Sequence, residues 1–188
     1  MTVSFRTSQT IGSLDPAKPH IVLVGLPGAG KSTVGSMVAT ALGRTFLDFD
    51  LEIERREGMP IAQIFGERGE GGFRELERKL TEELKPLGNM VLAPGGGWIT
   101  DPAVVSLIRP PASMVYLRVR PETALKRLAA ETAVRPLLNR PDPMAELTRL
   151  FEERKVAYQA ADLEIGTELL TPQQVAQQIA TKYGAQRV

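Results

Sequence analysis

The stretch GLPGAGKS, residues 25–32, restricts the possible folds of this chain more than any other part of its sequence. It matches the pattern G-x-x-x-x-G-K-[ST], with Gly25, Gly30, Lys31 and Ser32 at the four fixed positions. The run HIVLVG that leads into it has the length and apolar character of a strand buried on both faces. The stretch KSTVGSMVATALG that follows carries apolar residues at helical spacing and ends at a glycine. A strand, a glycine-rich loop and a helix in this order predict a phosphate-binding P-loop.

The chemistry of this loop predicts a binding site for a nucleoside triphosphate. Glycines allow successive backbone N–H groups to curl around phosphate oxygens, and the N-terminus of the helix adds partial positive charge. Lys31 is expected to reach the terminal phosphates, and the hydroxyl of Ser32 can bind Mg²⁺. A chance glycine turn is the alternative, which the four fixed positions make much less favoured. The residues of this stretch assigned to ATP are Gly28, Ala29, Gly30, Lys31, Ser32 and Thr33, although for Thr33 an ordinary place in the first turn of the helix is the favoured alternative.

Strand-like and helix-like segments alternate along the rest of the chain. Five short apolar runs predict strands, namely HIVLVG, RTFLDFD, NMVLA, SMVYLRV and DLEIG. Helical spacing occupies the segments between them, among them DLEIERREG, MPIAQIFGE and FRELERKLTEEL. The alternation predicts a single-domain α/β fold, a five-stranded parallel sheet flanked by helices. We expect a loose extension at 1–18, one P-loop domain at 19–188, a helical insertion for the second substrate at about 50–85 and a lid at about 129–142.

Composition excludes several kinds of site and partner. Basic and acidic residues number 23 and 22, a balance that argues against nucleic acid as the main partner. The absence of cysteine excludes disulfides, thiolate metal sites and cysteine nucleophiles, and the single histidine, His20, excludes a multi-histidine metal site. No apolar run approaches the roughly 20 residues that span a bilayer, and the first 18 residues lack the apolar segment of a secretory signal. We therefore expect a cytoplasmic protein with no membrane partner.

The segments that accompany the P-loop bear on the identity of the phosphoryl acceptor. A guanine-specific switch usually carries an Asn-Lys-x-Asp stretch for the base, and this sequence has none. A motor or transporter ATPase normally has a long apolar strand that ends in an acidic residue, whereas SMVYLRV runs into Arg120 and Pro121. Extra material at the carboxyl ends of strands usually shapes the pocket of a second substrate. The sequence therefore favours a P-loop kinase that acts on a small molecule.

Two aspartates, Asp48 and Asp50, end the second predicted strand, FLDFD. Side chains alternate along a strand, so both are expected on the same side of the sheet, near the phosphates. One carboxylate can hold Mg²⁺ directly or through water, while the other can hydrogen-bond an acceptor hydroxyl and receive its proton. The alternative is that Asp50 merely caps the following helix.

Three arginines are candidates for binding anionic groups. Arg74 follows the core-facing Phe73, and its planar fork matches a carboxylate, with Glu77 one turn later to orient it. An exposed salt bridge on a helix accounts for the same pattern equally well. Arg135 lies in the proline-rich break AETAVRPLLNRPDP, where a positive charge on a mobile cover can close on the transferring phosphoryl group; the alternative is a solvated loop arginine. Arg154 in FEERKVAY is ambiguous, because a charged helix face has the same pattern.

A second glycine-rich stretch, VLAPGGGWIT, follows the third predicted strand. Its place at the carboxyl edge of the sheet, beside the P-loop, favours close approach of its backbone to the acceptor over a slack linker. A linker is not needed there, because a helix capped by Asp101 begins directly afterwards. Trp98, the only tryptophan, is expected to pack in the core beside the pocket, and direct contact with substrate is the less favoured alternative.

Six stretches together resemble the shikimate kinases in their order and approximate spacing. They are GLPGAGKST, FLDFD, GGFRELE, APGGG, RPLL and ERKVAY, and the resemblance runs from about residue 21 to about residue 182. Apart from the P-loop, each stretch is weakly specific alone, but the six together are highly specific. The resemblance implies phosphorylation of the 3-hydroxyl of shikimate by ATP with Mg²⁺, a step towards chorismate and the aromatic amino acids.

The resemblance implies roles on both sides of the reaction. On the nucleotide side, Lys31 and Ser32 serve ATP and Mg²⁺, and Asp48 supports the metal. On the acceptor side, Asp50 holds the hydroxyls of shikimate and acts as a base. The residues implied to bind the rest of shikimate are a carboxylate clamp and the triplet lining the pocket: Arg74, Arg154, Gly95, Gly96 and Gly97. The implied catalytic residues are Lys31, Asp50 and the lid arginine, Arg135, which also contacts ATP.

The adenine site departs from the pattern of the family. In many shikimate kinases an arginine shortly before the lid stacks on adenine. Arg127 is nearest to that place, although Leu128 follows it and leaves the register open. Pro172 is expected to form the other side of the adenine slot. Trp98 also departs from the family, in which a smaller residue commonly follows the triplet.

Two other functions are compatible with parts of this pattern. A kinase for another small polyol acid, such as gluconate, is the nearest alternative, and the pair of arginines with the glycine triplet favours shikimate over it. A nucleotide-binding module without catalytic activity is the second, and the intact set of Lys31, Ser32, Asp48, Asp50 and Arg135 argues against it. Nothing in the sequence demands more than a monomer.

Overall fold

The structure, a computed structural model, describes residues 15, 17–130 and 141–184. Within these residues, five parallel strands form one sheet in the order β2-β3-β1-β4-β5. The strand in the middle, β1, is buried along its whole length, which accounts for its continuous apolar sequence. The predicted α/β fold with a five-stranded parallel sheet is confirmed. The strands are β1 (Ile21–Val24), β2 (Thr45–Asp48), β3 (Met90–Ala93), β4 (Ser113–Arg118) and β5 (Leu163–Gly166).

Helices flank this sheet and connect its strands. The helix after the P-loop packs against the last helix of the chain, α1 against α7. Helices α2 and α3 together fill the segment between β2 and β3, the place of the predicted insertion. The described helices are α1 (Lys31–Leu42), α2 (Phe49–Glu57), α3 (Ile61–Leu84), α4 (Pro102–Ser106), α5 (Pro121–Ala130), α6 (Pro143–Gln159) and α7 (Pro172–Gly184). Among them, none combines the length and the apolar character needed to cross a membrane.

The second predicted strand is shorter than its sequence suggested. β2 ends at Asp48, and the next residue already belongs to α2. The Asp48 side chain accepts hydrogen bonds from the backbone N–H groups of Asp50 (3.0 Å) and Leu51 (3.3 Å), so it is the N-cap of that helix. The expectation that strand alternation aligns Asp48 with Asp50 was therefore wrong, because Asp50 lies in the first turn of α2. The cap proposed for Asp50 belongs to Asp48.

The two helices predicted from MPIAQIFGE and FRELERKLTEEL are segments of one kinked element, α3. The kink is at Gly69, whose φ of 65° and ψ of −176° are not helical. Such a φ is readily adopted only by glycine, which lets the helix change direction within one residue. The rings of Phe65 and Phe73 stack across the kink with their centroids 4.8 Å apart. The kink thus joins two helical segments that face a common apolar cluster.

Candidate active site

A cavity of about 570 Å³ opens at the carboxyl ends of β1, β2 and β3. Its walls come from the P-loop, the start of α2, both segments of α3, the glycine triplet at 95–97 and α6. Apolar side chains that sequence reasoning did not assign to the site complete the walls, notably Ile61, Phe65 and Leu150. Most of the predicted site residues line this one cavity: Gly28, Gly30, Lys31, Ser32, Thr33, Asp48, Asp50, Arg74, Gly95, Gly96, Gly97 and Arg154.

The P-loop has a backbone conformation that depends on its glycines. Gly28 (φ 79°) and Gly30 (φ 91°) both lie in the left-handed region, and Gly30 caps the N-terminus of α1. A Cβ on Gly28 would also stand 2.7 Å from the carbonyl oxygen of Ala124, so the loop packs closely against α5. The ammonium of Lys31 donates to the carbonyl oxygen of Gly25 at 3.1 Å. The lysine is therefore held at the loop that the sequence predicts to bind phosphates.

A hydroxyl and a carboxylate meet beside this loop. The Ser32 hydroxyl donates a hydrogen bond of 2.5 Å to Oδ2 of Asp48, and both side chains line the cavity. Mg²⁺ in phosphate-transfer sites is usually held by one or two protein oxygens together with phosphate oxygens and water. The two oxygens are of the type that such an ion requires, and they lie next to the phosphate-binding loop. The pair thus fits a divalent metal that arrives with a nucleotide.

Two carboxylates of α3, one buried and one exposed, bind the guanidinium of Arg74. Its Nη1 donates to Oε2 of Glu77 at 2.5 Å, and the Glu77 side chain is only 2% exposed. Burial raises the pKa of the Glu77 carboxyl; the Arg74 guanidinium partly opposes this rise, and the charge of Asp50 adds to it. Nη2 of Arg74 donates to Oε1 of Glu70 at 2.9 Å. Because Glu77 is buried and Arg74 lines the cavity, an exposed surface salt bridge does not describe this pair.

The glycine triplet at 95–97 is surrounded by charged side chains. A Cβ on its first glycine would stand 2.6 Å from Oε1 of Glu77 and 3.1 Å from Oδ1 of Asp50. On the second glycine it would stand 2.8 Å from Nη1 of Arg154, and on the third it would overlap the guanidinium of Arg74. The missing side chains therefore make room for two carboxylates and two guanidinium groups. The sequence predicted a close approach at this triplet, but it did not predict that the protein's own charges make it.

The third glycine of the triplet is followed by a buried tryptophan. Trp98 begins a single 3₁₀ turn, Trp98–Thr100, and only 2% of the surface of Trp98 is exposed. Its indole N–H donates to the Thr81 hydroxyl at 3.0 Å, and that hydroxyl donates to the carbonyl oxygen of Glu77 at 2.7 Å. Trp98 thus packs in the core behind the pocket, in agreement with the favoured expectation, and it braces the segment of α3 that carries Glu77.

Some predicted site residues do not line this cavity, and others lie outside the described residues. Ala29 is buried in the loop and does not line the cavity. Arg127 donates to the carbonyl oxygen of Thr167 at 2.6 Å and to its hydroxyl at 2.9 Å, and Pro172 is exposed at the start of α7. The predicted roles of Arg127 and Pro172 at adenine stay predictions. Arg135 and most of the predicted lid lie outside the described residues.

Comparisons with known proteins agree on one family. The family model described as shikimate kinase matches residues 27–183. A shikimate kinase of a Sulfurihydrogenibium species is 40% identical over 163 residues, which are 87% of this chain and 96% of that protein. The solved shikimate kinase of Acinetobacter baumannii, in complex with shikimate, is 37% identical with a TM-score of 0.84, and the match covers 92% of this chain and 97% of that one.

More distant solved structures share the fold alone. A gluconokinase of Sinorhizobium meliloti superposes with a TM-score of 0.55 over 96% of this chain and 99% of that one, but it is only 16% identical. An identity so low carries no information about the acceptor.

Proposed function

The chain belongs to the shikimate kinase family, and from that premise we propose how its cavity divides between ATP and shikimate. The observation that carries the division is the convergence of the guanidinium groups of Arg74 and Arg154 on neighbouring glycines of one loop, with Asp50 beside them. Shikimate combines a carboxylate with hydroxyls, and these are the groups that arginine and aspartate recognise. The P-loop lies across the same cavity and suits the phosphates of ATP.

On the nucleotide side, we assign the phosphates of ATP to the P-loop. Lys31 neutralises the terminal phosphates with its ammonium. Ser32 and Asp48 hold the Mg²⁺ that accompanies ATP, and when bound this ion offsets the negative charge of the phosphates. The adenine end lies towards the loop after β5, near Arg127 and Pro172. The remaining residues proposed to contact the phosphates are Gly28, Ala29, Gly30 and Thr33.

On the acceptor side, Arg74 and Arg154 hold the carboxylate of shikimate as a two-pronged clamp. Each guanidinium presents N–H groups in a planar fork, which binds the carboxylate and also fixes the orientation of the shikimate ring. Asp50 then hydrogen-bonds the hydroxyls, and the backbone of the triplet lies against the ring. Glu77 holds Arg74 in place from the buried side.

The reaction is an in-line transfer from ATP to the 3-hydroxyl, giving ADP and shikimate 3-phosphate. The transition state of such a transfer is loose, so the residues act mainly by positioning and by neutralising charge. Asp50 accepts the proton of the attacking hydroxyl, and Lys31 stabilises the negative charge of the transferring group. The sequence predicts a lid that carries Arg135; we propose that this arginine adds a further positive charge and that the lid excludes water, so that hydrolysis of ATP does not compete. We propose that the enzyme acts as a monomer in the cytoplasm, where ATP is available.

Metal dependence tests the nucleotide half of this proposal. Chelation with EDTA should abolish turnover, and Mg²⁺ should restore it. Ser32→Ala should raise the Mg²⁺ concentration needed for half-maximal rate by at least about tenfold, the scale on which losing a partner of a metal site acts. The measurement is the rate of ADP release against Mg²⁺ at saturating shikimate.

Ser36→Ala is the matched control for the Ser32 variant. Ser36 lies one turn further along α1, and its hydroxyl only donates to the carbonyl oxygen of Thr33. Its Mg²⁺ requirement should equal that of the wild type. An unchanged Mg²⁺ requirement in Ser32→Ala would remove Ser32 from the metal site.

A further inference from the structure

Arg74 carries two carboxylate partners, and only one of them is built into the core. The Glu77 side chain is 2% exposed and sits behind the guanidinium. The Glu70 side chain is 71% exposed and reaches Nη2 of Arg74 from one turn earlier on α3, directly after the kink at Gly69. An exposed pair four residues apart on a helix is weak and easily exchanged. Glu70 is therefore the partner that an incoming anion can replace.

The surroundings of Arg74 leave few other directions of approach. Its guanidinium lies directly against Gly97, so the triplet covers one side of the group. The ring of Phe73 lies on another side, with its centroid 5.6 Å from the guanidinium carbon. Nη1 is engaged by Glu77. The Arg74 side chain nevertheless remains 30% exposed, and its Nη2 is engaged, among the ion pairs of the described residues, only by the exposed side chain of Glu70.

Charge gives Glu70 a second effect on an anionic ligand. Glu77 and Glu70 together place two carboxylates on the single positive charge of Arg74, and Asp50 stands nearby. Arg154 adds a second positive charge beside Arg74, but a carboxylate from a ligand would still be repelled by Glu70 as long as Glu70 stays on Arg74. Binding thus requires that Glu70 be released towards solvent, which its exposure permits.

We propose that Glu70 is a specificity-determining residue that competes with the carboxylate of the substrate for Arg74. It occupies Nη2 of the guanidinium until a ligand displaces it, and so it raises the KM for shikimate. A ligand bound only through its carboxylate gains too little to displace it, whereas shikimate gains further from its hydroxyls. This inference rests on the proposed role of Arg74 in the carboxylate clamp.

Glu70→Gln tests the competition, because it removes the charge and keeps the size of the side chain. The KM for shikimate should fall by about two- to fivefold, the range expected from an exposed ion pair. The kcat and the KM for ATP should stay at their wild-type values. Damage to the fold does not tighten substrate binding, so a lower KM distinguishes competition from a structural role. A KM that rises or does not change overturns the proposal.

A matched variant and a neutral substrate complete the experiment. Glu75→Gln removes the same charge from the same helix, where Glu75 is exposed and paired only loosely with Lys79 at 3.9 Å; its KM should equal that of the wild type. Methyl shikimate has no carboxylate charge, so Glu70→Gln should not lower its KM. Equal gains for methyl shikimate and shikimate, or a gain in Glu75→Gln, would also overturn the proposal.

A failure of the proposed competition can be distinguished from a failure of the proposed clamp. If Arg74→Lys raises the KM for shikimate while Glu70→Gln leaves it unchanged, the clamp stands and the competition is rejected. If Arg74→Lys has no effect on that KM, the assignment of Arg74 fails, and the inference about Glu70 fails with it.

Discussion

Replacing Asp50 with asparagine should lower kcat by about two to four orders of magnitude, the usual contribution of a positioned base. The amide has nearly the shape of the carboxylate, but it cannot accept the proton of the attacking hydroxyl. The KM for ATP should change little, because Asp50 lies beside the glycine triplet, which we propose to face the acceptor. Steady-state rates of ADP release at varied ATP and shikimate measure both quantities.

Asp48→Asn provides the contrast to this variant. Asp48 accepts the hydrogen bond of Ser32, so loss of its charge should raise the Mg²⁺ requirement. The amide oxygen of asparagine can still cap α2, so the Tm should change little. Asp48, and not Asp50, is the partner of Ser32, so Asp50→Asn should keep the Mg²⁺ requirement of the wild type. Near-normal turnover in Asp50→Asn would reject Asp50 as the base and as an anchor of the hydroxyls.

The second large effect is expected at the two arginines. Arg74→Lys or Arg154→Lys should raise the KM for shikimate roughly ten- to a hundredfold, the loss expected for a hydrogen bond to a charged group. Lysine keeps the positive charge but has no planar fork to match a carboxylate. The KM for ATP should stay near the wild-type value in both variants. Steady-state kinetics at saturating ATP provides the test.

Arg78→Lys is the control for the arginine variants. Arg78 lies one turn after Arg74 on α3, but it is exposed and pairs with Glu82 at 3.1 Å. The same substitution there should leave the KM for shikimate unchanged. If Arg74→Lys and Arg154→Lys both behave like Arg78→Lys, the clamp assignment is wrong.

The overall fold could be predicted from local patterns in the sequence. The P-loop, with its buried strand and its helix, identifies the start of the sheet, and Asp101 with Pro102 marks the beginning of α4 as expected. The end of β2 was harder to predict. FLDFD alternates like a strand, but Asp48 within this stretch is the N-cap of α2, so the helix begins before the stretch ends. Capping depends on one side chain turning back to the backbone, and alternation alone does not reveal it. The sequence predicted two helices from MPIAQIFGE and FRELERKLTEEL, and the structure joins them at Gly69 with a non-helical backbone conformation at that one residue.

Which residues line the cavity was more predictable from the sequence than how their side chains contact one another. Arg74 and Glu77 are three residues apart, so their pairing could be expected from helix geometry. The position of the triplet against Asp50, Glu77, Arg74 and Arg154 depends on three elements meeting, and no local pattern encodes such a meeting. The competing role that we propose for Glu70 also depends on the exposure of its side chain, which the sequence does not specify. Its spacing of four residues before Arg74 was the available signal.

The most direct test of the central claim compares two polyol acids as acceptors. ADP release is measured with purified protein, ATP and Mg²⁺, once with shikimate and once with gluconate as the varied substrate. Because the two arginines, Asp50 and the triplet together suit a rigid ring bearing a carboxylate, kcat/KM for shikimate should exceed that for gluconate by at least about a thousandfold. Equal or greater turnover of gluconate, or no release of ADP that depends on shikimate, would contradict the assignment of this cavity.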